Sequence, residues 1–203
     1  MGEPPIEGRR GSYAKSSKQR DLIIRTALDY FGRHGYHGAS MREIARQVGL
    51  SQAGLLHHFP TKADLLTAVL ESRDILSGAT ARAAADSAHD PLAGMTAVIA
   101  DNALHRELVQ MFVVVSAEAT DGRHPAHGHF RDRSQAVIAH MRSGLEQAVE
   151  RGLVDPGLDL DRAARQCQAL MYGLQVQWLF DPSTDMAATF EQFLDGFRRD
   201  RDR

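Results

Sequence analysis

Residues 40–62, SMREIARQVGLSQAGLLHHFPTK, constrain the chain more than any other stretch, because they spell two short helices joined at a sharp corner. Ser40, with Glu43 three residues on, has the spacing of a capping box and predicts a helix from Met41. Ile44, Ala45 and Val48 fall on one face of that helix, and Gly49 supplies the positive φ that ends it. Leu50 turns inward, Ser51 caps the second helix, and Leu55 and Phe59 make its buried stripe. Pro60 stops that helix, and Thr61 with Asp64 caps a third. Such a corner is a helix-turn-helix, whose second helix is shaped to enter a DNA major groove.

Charge supports this reading once the chain is divided. The net charge of −2 looks wrong for a DNA binder, but residues 1–66 carry 10 Lys and Arg against 6 Asp and Glu, while residues 67–203 carry 14 against 20. A basic head and an acidic body suit a protein that meets phosphates at one end. No apolar run approaches the roughly 20 residues needed to span a bilayer. The start, MGEPPIEGRRG, lacks the apolar centre of a signal peptide, which predicts a cytoplasmic location without membrane contact. The single cysteine, Cys167, leaves no partner for an internal disulfide and no Cys-rich zinc site.

Outside the corner the periodicity is helical throughout, giving an all-α chain of about nine helices. Residues 1–14, rich in Gly, Pro and charge, are expected to be disordered, with Arg9 and Arg10 on a solvated tail rather than in a minor groove. A first helix is predicted over about 17–34, capped by Ser16 and Gln19, with Leu22, Ile23, Ala27, Leu28 and Phe31 inward. The helix from Thr61 is expected to fade toward Gly78. Further helices follow around Met95, over 104–120 despite the β-branched MFVVV run, over 130–151, over 160–180, and over 185–199. The loop carrying His124, His127 and His129 reads as surface, since no carboxylate or Cys stands at ligand spacing beside it, so no metal is expected. Cys167 reads as a small core residue, and His140 as a hydrogen-bonded core histidine.

Residues 18–66 resemble the TetR/AcrR family of bacterial transcriptional regulators. Phe31, Gly35 and Tyr36, followed by IARQVGLSQAGLLHHFPTKADLL (44–66), carry the resemblance over nearly 50 residues, and LQVQWLFDP (174–182) echoes the C-terminal regions of such proteins. The family implies a homodimer with a DNA-binding head, here 15–62, and a ligand-sensing and dimerising body, here 63–203. Transferred onto this chain, the family pattern has Gln52, Ala53 and His57 face the groove, Arg42 reach a base edge, and Ser40, His58 and Lys62 meet phosphate. Arg is the best bidentate reader of guanine, Gln can pair with adenine, and Lys62 stands at a helix N-terminus that favours phosphate. Two departures matter. Leu56 stands where many members have Tyr, removing a hydroxyl. Gly54 stands where others have Thr, Ser or Ala, weakening the helix by up to about 1 kcal/mol while allowing close backbone approach.

The family layout also implies a pocket lined by Met95, Ile99, Met111, Phe112, Met141, Met171 and Tyr172, with Asn102, Gln168 and Gln175 as polar contacts. Such a lining suits an apolar or aromatic small molecule. Leu170, Leu174 and Trp178, with Phe190, Phe193 and Phe197, are expected to form a four-helix dimer interface. Two heads about 34–36 Å apart then read a palindromic operator on double-stranded DNA. The leading expectation is a repressor released by its effector. A DNA-binding regulator without an effector, acting as an activator or a nucleoid or division factor, is the alternative. No nucleophile with its base and no paired acids point to an enzyme.

Overall fold

The structure, a computed structural model, describes residues 7–198, with side chains from residue 16 onward. Among these residues the chain is all-α, with nine helices and a single antiparallel bridge between Val154 and Arg198. The head comprises α1 (Glu7–Gly38), α2 (Met41–Gln47) and α3 (Gln52–His58). The rest comprises α4 (Lys62–Ala88), α5 (Ala93–Asn102), α6 (Arg106–Glu118), α7 (His127–Glu150), α8 (Leu160–Phe180) and α9 (Met186–Asp195).

Local chemistry explains most boundaries. Ser51 accepts from Gly54 N–H at 3.1 Å and starts α3, while Thr61 and Asp64 form a reciprocal capping box that starts α4. At Ser40 half of the box forms: its hydroxyl caps Glu43 N–H, but the Glu43 carboxylate turns to Arg46 at 2.9 Å. Gly49 takes φ 71° at the corner, as the sequence requires.

Three elements differ from expectation. Helix α1 begins at Glu7, so Ser16 and Gln19 lie inside it and cap nothing; residues 1–6 of the expected tail, and the side chains of Arg9 and Arg10, lie outside the description. Leu22 is exposed while Ile23, Ala27 and Phe31 are buried, which places the inward face one residue further round. Helix α4 does not fade at Gly78 but continues to Ala88, carried by an alanine-rich stretch of high helix propensity. That stretch also has a packing role: a Cβ on Gly94 of α5 would come within 2.6 Å of the Ala81 carbonyl, so the two backbones nearly touch.

Two cores share the work. One joins Ile23, Phe31, Ile44, Leu55 and Phe59 to Leu65, Leu66, Val69 and Leu70 of α4, and takes Met111, Val115, Ala119 and Ala126 from the body. The other gathers Leu92, Met95, Ile99, Met141, Leu145, Cys167, Leu174, Trp178 and Phe190. The expected division at 62/63 is therefore crossed by continuous packing through α4 and α6. The C-terminal end of α9 is pinned to the turn after α7 by Asp155 N–H donating to Phe197 carbonyl at 3.2 Å.

Candidate nucleic-acid interface and helical body

The corner presents its polar side chains outward. Arg42, Gln52, Ala53, Leu56 and His57 are exposed, and Gly54 and His58 are half-buried. Among the described residues the Arg42 and Gln52 side chains make no hydrogen bond within the chain, so their donors and acceptors are free for another molecule. Behind them, Leu55 and Phe59 anchor α3 in the core. Arg20 locks its end, donating to the His58 carbonyl at 3.2 Å with its guanidinium 4.2 Å from the Phe59 ring centre. Nothing in the sequence singled out Arg20, because its partner lies 38 residues away.

Lys62 does not stand free as a phosphate ligand would. Its ammonium donates to the carbonyls of Tyr36 at 2.7 Å, Ala39 at 3.0 Å and His37 at 3.4 Å, and lies 4.5 Å from the Tyr36 ring centre. Those carbonyls close the C-terminal end of α1, where a cation is favoured. The lysine thus ties α4 to the turn before α2.

The same turn docks on the body. Gly35 takes φ 66°, and the Glu118 carboxylate of α6 occupies the place a Cβ would fill, accepting from Tyr36 N–H at 2.6 Å. A Cβ on Gly32 would lie 3.1 Å from Met111 N, so α1 and α6 also meet backbone to backbone. Gln110 donates to the Gly32 carbonyl at 3.2 Å.

The loop is exposed at Asp121, Gly122, Arg123 and Pro125, but its first histidine turns inward rather than to the surface. His124 is 4% exposed, packs edge-on against Tyr36 at 4.8 Å, and accepts from Ala126 N–H through Nδ1 at 3.1 Å. Burial pushes its pKa down, which keeps it neutral. His127 starts α7 and contacts the Ala119 carbonyl at 2.9 Å, and His129 turns toward Asp74. Among the described residues no cluster of three His, Cys, Asp or Glu is placed to hold a metal.

The expected pocket residues separate. Met95, Ile99, Met141 and Met171 pack together in the body core, whereas Met111 belongs to the head-side core, because its backbone faces α1. Gln168 pairs with Ser134, and Asn102 and Gln175 are buried, each with one side-chain atom unpartnered. Phe112 and Tyr172 meet edge to face at 5.3 Å, with Phe130 at 5.4 Å from Phe112.

Around this aromatic group lies a charge cluster that the sequence reading missed. Arg73 of α4 is 3% exposed, with its guanidinium 4.0 Å from the Phe112 ring centre, and that of Arg133 lies 4.8 Å from the same ring. Asp74 accepts from Arg133 Nε at 2.6 Å and from Arg73 at 3.3 Å, and lies 3.2 Å from His129 Nε2. Arg133 also donates to the Tyr172 hydroxyl at 3.1 Å. Burial pushes Asp74 up, but the His129 ring and the Arg133 and Arg73 charges outweigh it and hold the carboxyl at about 2. Burial, reinforced by Arg133, lowers Arg73 to about 9, so it remains charged at neutral pH. A signal was available: Arg73 sits three and four residues beyond Leu70 and Val69 on the buried stripe of α4.

Two further expectations are corrected. His140 is exposed, because α7 turns Met141 rather than His140 to the core. Leu174, Trp178 and Phe190 are buried within the protomer, so they are core rather than a face for a second copy, and Leu170, Phe193 and Phe197 pack partly against them. The outer face of α8 instead carries Ala169, Gly173, Val176 and Phe180, the last 87% exposed. Cys167 is the core residue expected, and burial pushes its thiol up to about 12, which disfavours the thiolate at neutral pH. No helix among the described residues is long and apolar enough to cross a membrane.

An anchored three-helix head with free polar side chains on its outer helix, set on a helical body, defines a helix-turn-helix DNA-binding protein. Residues 23–69 match the bacterial regulatory proteins of the tetR family, and residues 91–199, over half the chain, match the C-terminal region of the BetI-type transcriptional repressor. The chain belongs to the TetR family of transcriptional regulators. It is similar to the HTH-type transcriptional regulator RutR of Escherichia coli K12, 43% identical over 70 residues, or 34% of this chain and 32% of RutR. The chain thus spans about a third of that relative's length. A TetR family regulator from Agrobacterium tumefaciens superposes with TM-score 0.79 at 18% identity, covering 91% of this chain and 100% of that one. A transcriptional regulator from Saccharomonospora viridis in complex with choline gives 0.71 at 24%, covering 91% and 100%. At these identities the structural likeness establishes the fold.

Proposed function

We propose that the protein is a dimeric, ligand-responsive repressor that acts in the cytoplasm, holds a palindromic operator and releases it when a small molecule binds the helical body. The observation that carries this is the interlock at α6. Met111 abuts Gly32 of the head, Glu118 holds the turn after it, and the next residue, Phe112, lies among the buried charges of the body. A ligand that moves α6 or α4 cannot leave the head where it was.

In this reading Gln52, Ala53 and His57, with Arg42, read bases, and Gly54 allows close approach. Ser40 and His58 meet phosphate, and Lys62 supports that contact by holding the turn rather than touching DNA. The dimer face is the outer side of α8. Gly173 has no atom within 4 Å of a would-be Cβ, and small residues there let a partner helix approach closely. That the S. viridis neighbour is in complex with choline supports a small-molecule ligand for this chain.

The ligand must prefer the DNA-incompetent state, and moving the balance from 1:99 to 99:1 takes about 5.5 kcal/mol of differential affinity. Footprinting upstream of the regulated genes is expected to show a protected inverted repeat, lost on adding effector. A ligand that binds the body tightly and leaves operator affinity unchanged would refute the coupling.

A further inference from the structure

Two guanidiniums and an imidazole share one carboxylate in the middle of this body. Among the described residues Asp74 is the one acidic side chain within 4.0 Å of Arg73, Arg133 or His129. Arg73 is also left incompletely bonded: it has a single hydrogen bond, at 3.3 Å to its sequence neighbour, and its buried Nε has no partner. Contact with the Phe112 ring offsets part of the charge but accepts no directed N–H bond. A purely structural pair would balance its charges and satisfy its donors.

We propose that this cluster recognises an organic acid, a small carboxylate with an apolar or aromatic frame, bound between Arg73 and Arg133 with its carbon skeleton against Phe112 and Tyr172. The carboxylate supplies the negative charge the cluster lacks and the acceptor that Arg73 Nε lacks, and guanidinium forks match carboxylate geometry. The same excess of positive charge disfavours a cation such as choline. The cluster reaches solvent on one side, where the Arg133, His129 and Asp74 side chains keep 14%, 24% and 29% exposure, while that of Arg73 keeps 2%. Arg73 follows Val69 and Leu70, which pack in the head core, so an acid that shifts it acts on the helix entering the head. This inference rests on the ligand-responsive reading and names the chemistry of its effector.

The test uses the full-length protein with benzoate, indole-3-acetate and octanoate, each beside its primary amide, and with choline, by calorimetric titration. At least one acid is expected to bind about 10–100-fold more tightly than its amide, as charge-assisted hydrogen bonds imply. R133Q, and R73M, which fills the volume without the charge, are expected to lose that preference; should R73M fail to fold, R133Q alone decides. Acids that bind no better than their amides, binding of choline in their place, or an acid preference retained in R133Q would overturn the proposal. Operator binding separates the two readings. An acid that binds through these arginines but does not release DNA keeps the anion site and removes the ligand-responsive switch.

Discussion

Arg42 and Gln52 differ from Lys62 in one respect that decides how each acts: among the described residues their polar groups are free, and those of Lys62 are committed to three carbonyls. Replacing Arg42 or Gln52 with Ala is expected to cost about 1–3 kcal/mol of operator affinity and to relax selectivity at one base pair, with no change in folding stability. Mobility shifts over an operator variant series check this; equal losses on every sequence would remove the residue from the base-reading set. K62M is expected instead to destabilise the protein by about 2 kcal/mol, since charge-assisted bonds at a half-buried helix end are lost, and to weaken all DNA sequences alike. Denaturant unfolding checks it, and an unchanged midpoint would return Lys62 to the phosphate ligands. The exposed positions of α3 were legible in the sequence, because Leu55 and Phe59 fix which side is buried. The fate of Lys62 was not, because its acceptors lie 23 to 26 residues earlier.

At the level of elements, α4 is the member on which the others converge. Gly94 lets α5 lie directly on Ala81, and G94A would place a Cβ 2.6 Å from a backbone oxygen that cannot move without the helix. Overpacking of this kind costs about 1–3 kcal/mol, more than the roughly 1 kcal/mol that alanine gains in helix propensity. Net destabilisation by thermal or urea unfolding is the expected outcome. Two turns further back, Asp74 ties α4 to α7. Its carboxyl, near 4 when unfolded, titrates at about 2 in the folded chain, so its contribution is complete above pH 4 and disappears as pH falls toward 2. A shift of this size is worth about 2 kcal/mol. D74N is expected to be less stable than the parent at pH 7, with the difference shrinking between about pH 4 and 2. A difference that stays constant across that interval would show that charge is not the source.

For the whole molecule, the exposed Phe180 and Val176 on the outer face of α8 imply a covering surface, and a second copy supplies it in the proposed dimer. F180E is expected to leave the fold intact by circular dichroism, yet to yield monomers in light scattering and to lose cooperative binding to a full operator. Dimers retained in F180E would place the interface elsewhere. The proposed dimer would also reconcile a net charge of −2 with DNA binding. It would present the basic head twice on one face, and affinity is expected to fall steeply with salt.

Residue chemistry alone determined the nine-helix plan, the corner at Gly49, the caps at Ser51 and Thr61, and the resemblance carried by residues 44–66, because helix signals and caps act over a few residues. Tertiary structure decided what each buried stripe faces. A helical period shows that Leu174, Trp178 and Phe190 are covered, but whether by the same chain or a copy depends on how α8 and α9 pack. It likewise decided that Arg73, Asp74, His129 and Arg133 meet, since α4 and α7 are far apart in sequence and only packing brings their charges onto one phenyl ring.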